Sequence, residues 1–520
     1  MIIGIDFGTC FSSIAIMNGL IPVTSFGTTG DERGIPTLFM FSKALNTELY
    51  GTDCEIGEAV VNSKEVVRYM KKIVRQNPNN LNATIKTNGK DYTIKEVLKK
   101  YLAFLLAKAK DNARRTGEIS NLDFERIAIT APVGIAEGQM TATDYNQLLV
   151  DTVIEITGID RKKVSVIQEP VGAAMAYLYS DDLRRIYSKK QTIMVFDLGG
   201  GTLDVTILEH DPYLKQYAIK DKDGDLQLGG NDWDQALAGL VMKKSGAVGD
   251  IVDPEERSKF KSKVVRLKED LTPNTAGEIF FKKEGRSYFA DITRAEFETA
   301  SRPLLDNAVK VVKRVLGRYS GTLDKIVLVG GASNMPQIES RLKSEFANVV
   351  GGEENIFRFD PSKAISKGAA IYAKKIEDDI ASGGTPIKPK DILSHTYGVD
   401  SHKNGVHMIY NILYKGESKP TSRVAETSFM PREDNQVRAS FTVYESDAMK
   451  SGTGSDSNWI EFNLGNSDGI TVTVEVPPEY KGKATKFEIH PELSIDENEI
   501  LTINVRDGKG KIIGTQKKQL

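Results

Sequence analysis

Asp6 and Asp197 stand at the same point of one repeated pattern. IIGIDFGTCFSSIAI, from Ile2, and IMVFDLGGGTLDVTIL, from Ile193, each run through an apolar stretch to an Asp, then one residue, then a glycine-rich or hydroxylated turn and a second apolar stretch. A strand entering such a turn, with Gly8 or with Gly199, Gly200 and Gly201, exposes backbone N–H groups that converge on an anion, because glycine tolerates positive φ and close approach. A carboxylate at the mouth of the turn repels phosphate directly. Its fitting role is to orient a hydrated Mg2+, which keeps several waters and bridges to phosphate oxygens. One copy of the pattern is more often a plain turn. Two copies with matched flanks predict two similar lobes gripping the phosphates of one nucleotide from both sides. Neither a P-loop nor a GxGxxG dinucleotide fingerprint occurs in the chain.

Composition narrows the chemistry further. Only Cys10 and Cys54 are present, too few for a disulfide framework or a cysteine zinc site, and of five His only His210 precedes residue 395. The N-terminal part of the chain must therefore work with carboxylates, lysines and glycines. Lys and Arg number 69 against 71 Asp and Glu, a balance that argues against a nucleic-acid partner. No apolar run approaches the roughly 18 residues of a membrane span, and no basic, cleavable leader precedes Ile2. Cytoplasmic residence without a membrane partner is the expectation.

Positioning these groups takes ordered elements, and a chain of 520 residues suggests about three domains. NSKEVVRYMKKIVRQ opens with Asn62 three residues before Glu65, a capping-box spacing, and sets Val66, Met70, Ile73 and Val74 on one helical face. TIKEVLKKYLAFLLAKAK repeats the signal with Thr93 and Glu96, continues with Leu98, Leu102, Leu105, Leu106 and Ala109, and stops near Gly117. Short strands such as RIAITAP and KIVLVGG lie between helices, which predicts α/β layering. After Ile380 the texture changes. ASGGTPIKPKD reads as an extended linker over 381–395. Beyond it, period-2 stretches at Ala439, Phe441 and Val443, at Ile470 to Val476, and at Leu501, Ile503 and Val505 predict a small all-β domain over 396–520.

The motifs taken together resemble the Hsp70 chaperone family, within the actin/hexokinase/Hsp70 ATPase superfamily, from Ile2 to about residue 508. IGIDFGTCFSS resembles the family's first phosphate motif and FDLGGGTLDVTI its second; QEPVGAAMAY, GDLQLGGNDWD, LVGGASNMPQI and DPSKAISKGAA follow in family order. The resemblance implies a two-lobed, duplicated, actin-like ATPase domain over 1–380 with a cleft between its lobes, and a β-sandwich after it. It implies ATP or ADP with Mg2+, and K+ as an accompanying ion. Asp6 and Asp197 then match the carboxylates that hold Mg2+ through water, and Thr9 and Thr202 the hydroxyls at the phosphates. Lys71 matches the lysine that steers the terminal phosphate and attacking water, and Glu169 the carboxylate near that water. From the residues alone, Lys71 reads more readily as a solvated helix residue and Glu169 as a helix start before Pro170; the resemblance reverses that balance. Gly8, Cys10, Phe11, Gly199, Gly200, Gly201 and Gly229 fall in the phosphate turns, with Cys10 where the family often has a second Thr. Lys268 and Thr272 match one adenosine wall, and Gly330, Gly331 and Ser333 the other. Val265 and Glu269 replace a Glu and an Arg common in the family.

The C-terminal domain resembles the family's peptide-binding sandwich, which implies unfolded or extended peptide clients held by main-chain hydrogen bonds and an apolar pocket. Val399, Phe429 and Ala439 are the pocket candidates, with ordinary sandwich core as the alternative for each. His402 and Arg432 stand where apolar residues arch over the peptide. The pattern for a helical lid is absent, from which faster peptide escape is expected. Asp391, Ile392 and Leu393 keep part of a more apolar family linker. Ser165 replaces an arginine associated with J-domain partners, and Gly134 to Asp160 runs longer than in the family. The resemblance still names a J-domain protein and a nucleotide-exchange factor as partners. Three functions compete: an ATP-driven peptide chaperone, an Hsp110-like exchange factor or nucleotide-gated scaffold, and a sugar or acetate kinase, which the β domain disfavours.

Overall fold

The computed structural model describes residues 1–520 except 20, 25–33, 57–62, 118–120, 133–139, 141, 180–188, 213–215, 385, 388, 394, 447–454, 462–468, 497–499 and 520. Two compact units divide the chain: Met1–Tyr217 with Asp221–Pro389, and Lys390–Leu520 with Ala218–Lys220.

The first unit repeats one topology. In one sheet the strands Ile2–Asp6, Phe11–Asn18 and Ile21–Thr24 form an antiparallel meander, and Arg126–Ala131 then Val164–Gln168 extend it in parallel from Ile2–Asp6. In the other, Gln191–Leu198, Leu203–Asp211 and Gln216–Asp225 lie in the same order, and Lys325–Val329 then Ile356–Arg358 extend in parallel from Gln191–Leu198. The two Asp-bearing hairpins are thus equivalent positions in two mixed sheets. Burial explains why both strands lack polar alternation: every residue of Gln191–Leu198 is buried. A sheet covered on both faces selects near-continuous apolar runs.

Each sheet is followed by a helix, Glu169–Leu178 after the first and Ala364–Ala381 after the second. The two helices cross in backbone contact. A Cβ built on Gly368 would lie 1.7 Å from the Gly172 carbonyl oxygen. Ala364–Ala381 also lies on the first sheet, where Ser13 Oγ donates to Ser366 Oγ over 2.8 Å. Tyr177 of the other helix packs on Phe357 and Phe359 beside the second sheet, with ring centroids 5.5 and 5.6 Å away.

The helix expected from Thr93 forms as read. Thr93 and Glu96 make the capping box, the helix spans Ile94–Thr116, and Gly117 ends it in the left-handed region at φ 67°. The helix expected from Asn62 does not. Asn62 lies outside the described residues, and the α-helix is confined to Met70–Arg75. Val67 instead exchanges both backbone hydrogen bonds with Phe39 as extended chain, and Tyr69 turns left-handed at φ 56°. Strand-like pairing buries Val66 and Val67, so the apolar spacing there serves two elements instead of one helical face.

The second unit has a five-stranded sheet (Trp459–Glu461, Val406–Leu413, Thr396–Lys403, Arg438–Ser446, Ile470–Glu475) and a four-stranded sheet (Thr421–Val424, Ile489–Ile495, Ile500–Asp507, Ile512–Gln519). Alternate residues of these strands meet in one apolar core containing Val399, Phe429, Phe441, Val474, Leu501 and Val505. Part of the expected linker is packed. Leu393 joins that core, Ile392 is buried and pairs with Ser418, and Lys419 forms an ion pair with Asp391 at 3.0 Å. Thr385, Lys388 and Ser394 lie outside the described residues.

Candidate functional site

Asp6 ends its strand opposite Ser13, and Asp197 lies opposite Asp204 across the second hairpin. The two turns meet. A Cβ on Gly200 would fall 2.5 Å from Cys10 Sγ, and one on Gly201 would fall 3.6 Å from Thr9 Cγ2. Only a residue without a side chain allows the turns this approach at Gly200. The start of the helix Gly230–Ser245 closes a third side, with Gly230 N–H donating to Gly199 O at 2.9 Å and Asn231 N–H to Gly200 O at 2.8 Å. Gly330, at φ 81°, brings the end of the strand Lys325–Val329 against the Asp197 carboxylate. Residues scattered from 6 to 330 therefore converge on one place.

Lys71 reaches the same cluster from the short helix Met70–Arg75 and forms an ion pair with Glu169. Both side chains are buried. Glu169 is the first residue of its helix, followed by Pro170, so its position is fixed by a helix start as well as by its partner. The carboxylates ionise unwillingly. Burial, then the charge of Glu169, pushes Asp6 up to about 7, against the pull of Lys71 and a 3.2 Å hydrogen bond from Thr130 Oγ1. Burial raises Asp197 well above the usual carboxylate range, with Glu169, Asp204 and Asp6 adding to it. Asp204 rises to about 6 by burial and Glu169. Mutually repelling buried carboxylates are a standing demand for a cation.

Mg2+ fits that demand. The donors are hard oxygens, the kind Mg2+ takes directly or through its waters. The Cys10 thiol is pushed up by burial and accepts a long contact from Asn231 Nδ2 at 3.7 Å.

The adenosine candidates fall beside the turns. Lys268 Nζ donates to Gly230 O at 3.1 Å and pairs with Asp234 at 2.7 Å. Thr272 lies one turn further, its hydroxyl on the Lys268 carbonyl at 3.3 Å. Lys268 and Thr272 line one recess with Met335 and Gln337. Ser333 is buried, bonded to Val329 O at 2.6 Å. Sequence reasoning passed over Asp204, Thr130 and Asp234. Counting back from the hairpin turn gives the Asp197–Asp204 register. Thr130 carries no local signal. In the second unit Val399, Phe429 and Ala439 are all buried in the sandwich core, where Phe429 packs edge-on to Tyr410 and Phe441.

A family model described as Hsp70 protein matches residues 2–518. The chain belongs to the Hsp70 family. It is 26% identical over 534 residues to the chaperone protein DnaK of Cenarchaeum symbiosum (strain A), covering 99% of this chain and 72% of that protein. This Hsp70 is a chaperone of a family whose members are ATPases that bind ATP or ADP with Mg2+. No described helix of this Hsp70 is long and apolar enough to cross a membrane.

Proposed function

We propose that this Hsp70 hydrolyses Mg-ATP in a cleft between two lobes built on the duplicated sheets, and that the nucleotide state sets the affinity of the second unit for extended peptide. One observation supports it above the others: the buried Lys71–Glu169 pair stands in the same carboxylate cluster as Asp6 and Asp197. In this reading Asp6 and Asp197 hold the waters of Mg2+, Thr9 and Thr202 bond the phosphates, and Lys71 balances charge on the terminal phosphate. Glu169 orients the attacking water. Mg2+ would neutralise the phosphates and draw charge off the leaving oxygen. Phosphoryl transfer needs this positioning and electrostatic balance more than covalent chemistry.

Val399, Phe429 and Ala439 would form the floor of a peptide pocket, with the strands beside them offering backbone to an extended client. A J-domain protein and a nucleotide-exchange factor are the partners such a cycle would use. In a single-turnover assay, Lys71→Ala should lose at least about 100-fold in hydrolysis, and ATP should speed release of a fluorescent unfolded peptide relative to ADP. Normal turnover in the variant removes Lys71 from the mechanism. Equal release with the two nucleotides sinks the peptide cycle, and accelerated nucleotide exchange on another Hsp70 would then select the exchange-factor reading.

A further inference from the structure

The strands Ala276–Lys283 and Arg286–Thr293 of the first unit form a two-stranded sheet of their own, joined by the turn Glu284–Gly285 with both residues left-handed, at φ 52° and 76°. One face of this ribbon is closed. Ile279, Phe281, Ala290 and Ile292 are buried, and Phe281 packs on Phe260 of the helix Pro254–Asp270 with ring centroids 4.7 Å apart. The other face is open. It carries three cross-strand pairs in a row: Glu278 with Asp291, Phe280 with Phe289, and Lys282 with Ser287. All six residues are exposed, Phe280 at 59% and Phe289 at 46%, and the two rings lie 4.7 Å apart. Two features of that face are unfavourable in a lone molecule. The adjoining rings leave apolar area in water that burial would stabilise. Glu278 stands directly opposite Asp291, and like charges so placed destabilise a strand pair. Counted from the two-residue turn, these outward pairs fall at non-hydrogen-bonded positions, where side chains approach most closely. Among the described residues, no ion pair or side-chain hydrogen bond engages Glu278, Asp291 or Lys282.

We propose that this face docks a second copy of the chain, ribbon against ribbon, with the Phe280–Phe289 pairs stacked at the centre. The charge order selects that occupant. Glu278 and Lys282 lie two residues to either side of Phe280 on one strand, about 7 Å from it each way. A two-fold axis lying between the ribbons, perpendicular to the strands and passing over the phenylalanines, sets Phe280 on Phe280, Phe289 on Phe289, and Glu278 of each copy over Lys282 of the other. The face is thus complementary to itself, as a two-fold interface requires. The incoming ammonium also reaches the side of the ribbon where Glu278 and Asp291 repel each other, and so relieves both. An eight-residue ribbon offers a face of only about 27 by 10 Å, well short of a standard interface. The association is therefore weak and concentration-dependent. It is independent of the ATPase reading above.

The test is analytical ultracentrifugation of the full chain without nucleotide, from about 1 to about 200 μM, the range in which a small interface reveals itself. The unaltered chain should pass from monomer to dimer across it. Phe280→Ser combined with Phe289→Ser should weaken dimerisation at least about tenfold, with the melting temperature of the monomer kept, because both side chains point to solvent. Glu278→Lys alone and Lys282→Glu alone each set like charges over one another and should weaken it about tenfold. The two reversals together in one chain should restore it, and an equimolar mixture of the two single variants should form the heterodimer that neither forms with itself. A chain that stays monomeric at the highest concentration overturns the proposal. So does a dimer indifferent to these substitutions, which would be joined through some other surface, the second unit included. Failure of both the double reversal and the mixture to restore association overturns the pairing of Glu278 with Lys282, and with it the two-fold arrangement.

Discussion

Single residues in this protein are governed by what burial does to charge. At the carboxylate cluster burial raises pKa values; at His210 it lowers one. His210 lies in the buried part of the strand Leu203–Asp211, its ring 4.7 Å from that of Tyr217, and burial, aided by Lys375 and opposed by Asp211, drops it from 6.5 to about 4. The unfolded chain therefore takes up the proton first as pH falls. This group's contribution is full above the unfolded value and is lost between about pH 6.5 and about pH 4. It amounts to about 2 kcal/mol once solvent screening is allowed for. His210→Phe keeps a ring against Tyr217 and removes the proton site, so its unfolding free energy between pH 7.5 and pH 4.5 should fall by about that much less than in the unaltered chain. Parallel curves for the two proteins would show that His210 does not titrate differently in the folded state.

At the level of elements, the site depends on two helices that share no space for a side chain where they cross. Gly172 and Gly368 were invisible as a pair in the sequence, because each sits in an alanine-rich helix start that reads as ordinary packing. Gly368→Ala should destabilise the first unit by about 2–3 kcal/mol, since overlap with a backbone carbonyl outweighs the gain in helix propensity of about 1 kcal/mol. Gly239→Ala makes the control. It also lies inside a helix, Gly230–Ser245, but its added Cβ would meet nothing within 4 Å, so a gain of about 0.5–1 kcal/mol is expected. Urea midpoints moving the same way in both variants would mean that the crossing tolerates a methyl group.

For the whole molecule, two compact units imply two unfolding transitions with different ligand dependence. Mg-ADP at about 100 times its dissociation constant should stabilise the first unit by about 2.7 kcal/mol. EDTA should cancel most of that, because without a cation the nucleotide phosphates face Asp6, Asp197 and Asp204 directly. A shift that survives EDTA in full would place the nucleotide away from the carboxylates.

The duplicated hairpin and the family were legible in the chain alone, because they rest on local patterns: an apolar strand, a turn that needs glycine, motifs in family order; the roles proposed for Lys71, Glu169 and the threonines came only with that resemblance. The helix expected from Asn62 was misread for the same reason, since apolar spacing does not say whether Val66 and Val67 are buried by coiling or by pairing with Phe39. What tertiary structure decided is everything that depends on distant segments arriving together. It set Gly200 against Cys10 and Lys71 against Glu169, and it closed Gly172 on Gly368. Electrostatic and steric interactions act through space, so a chain written in one dimension specifies them only after it has folded.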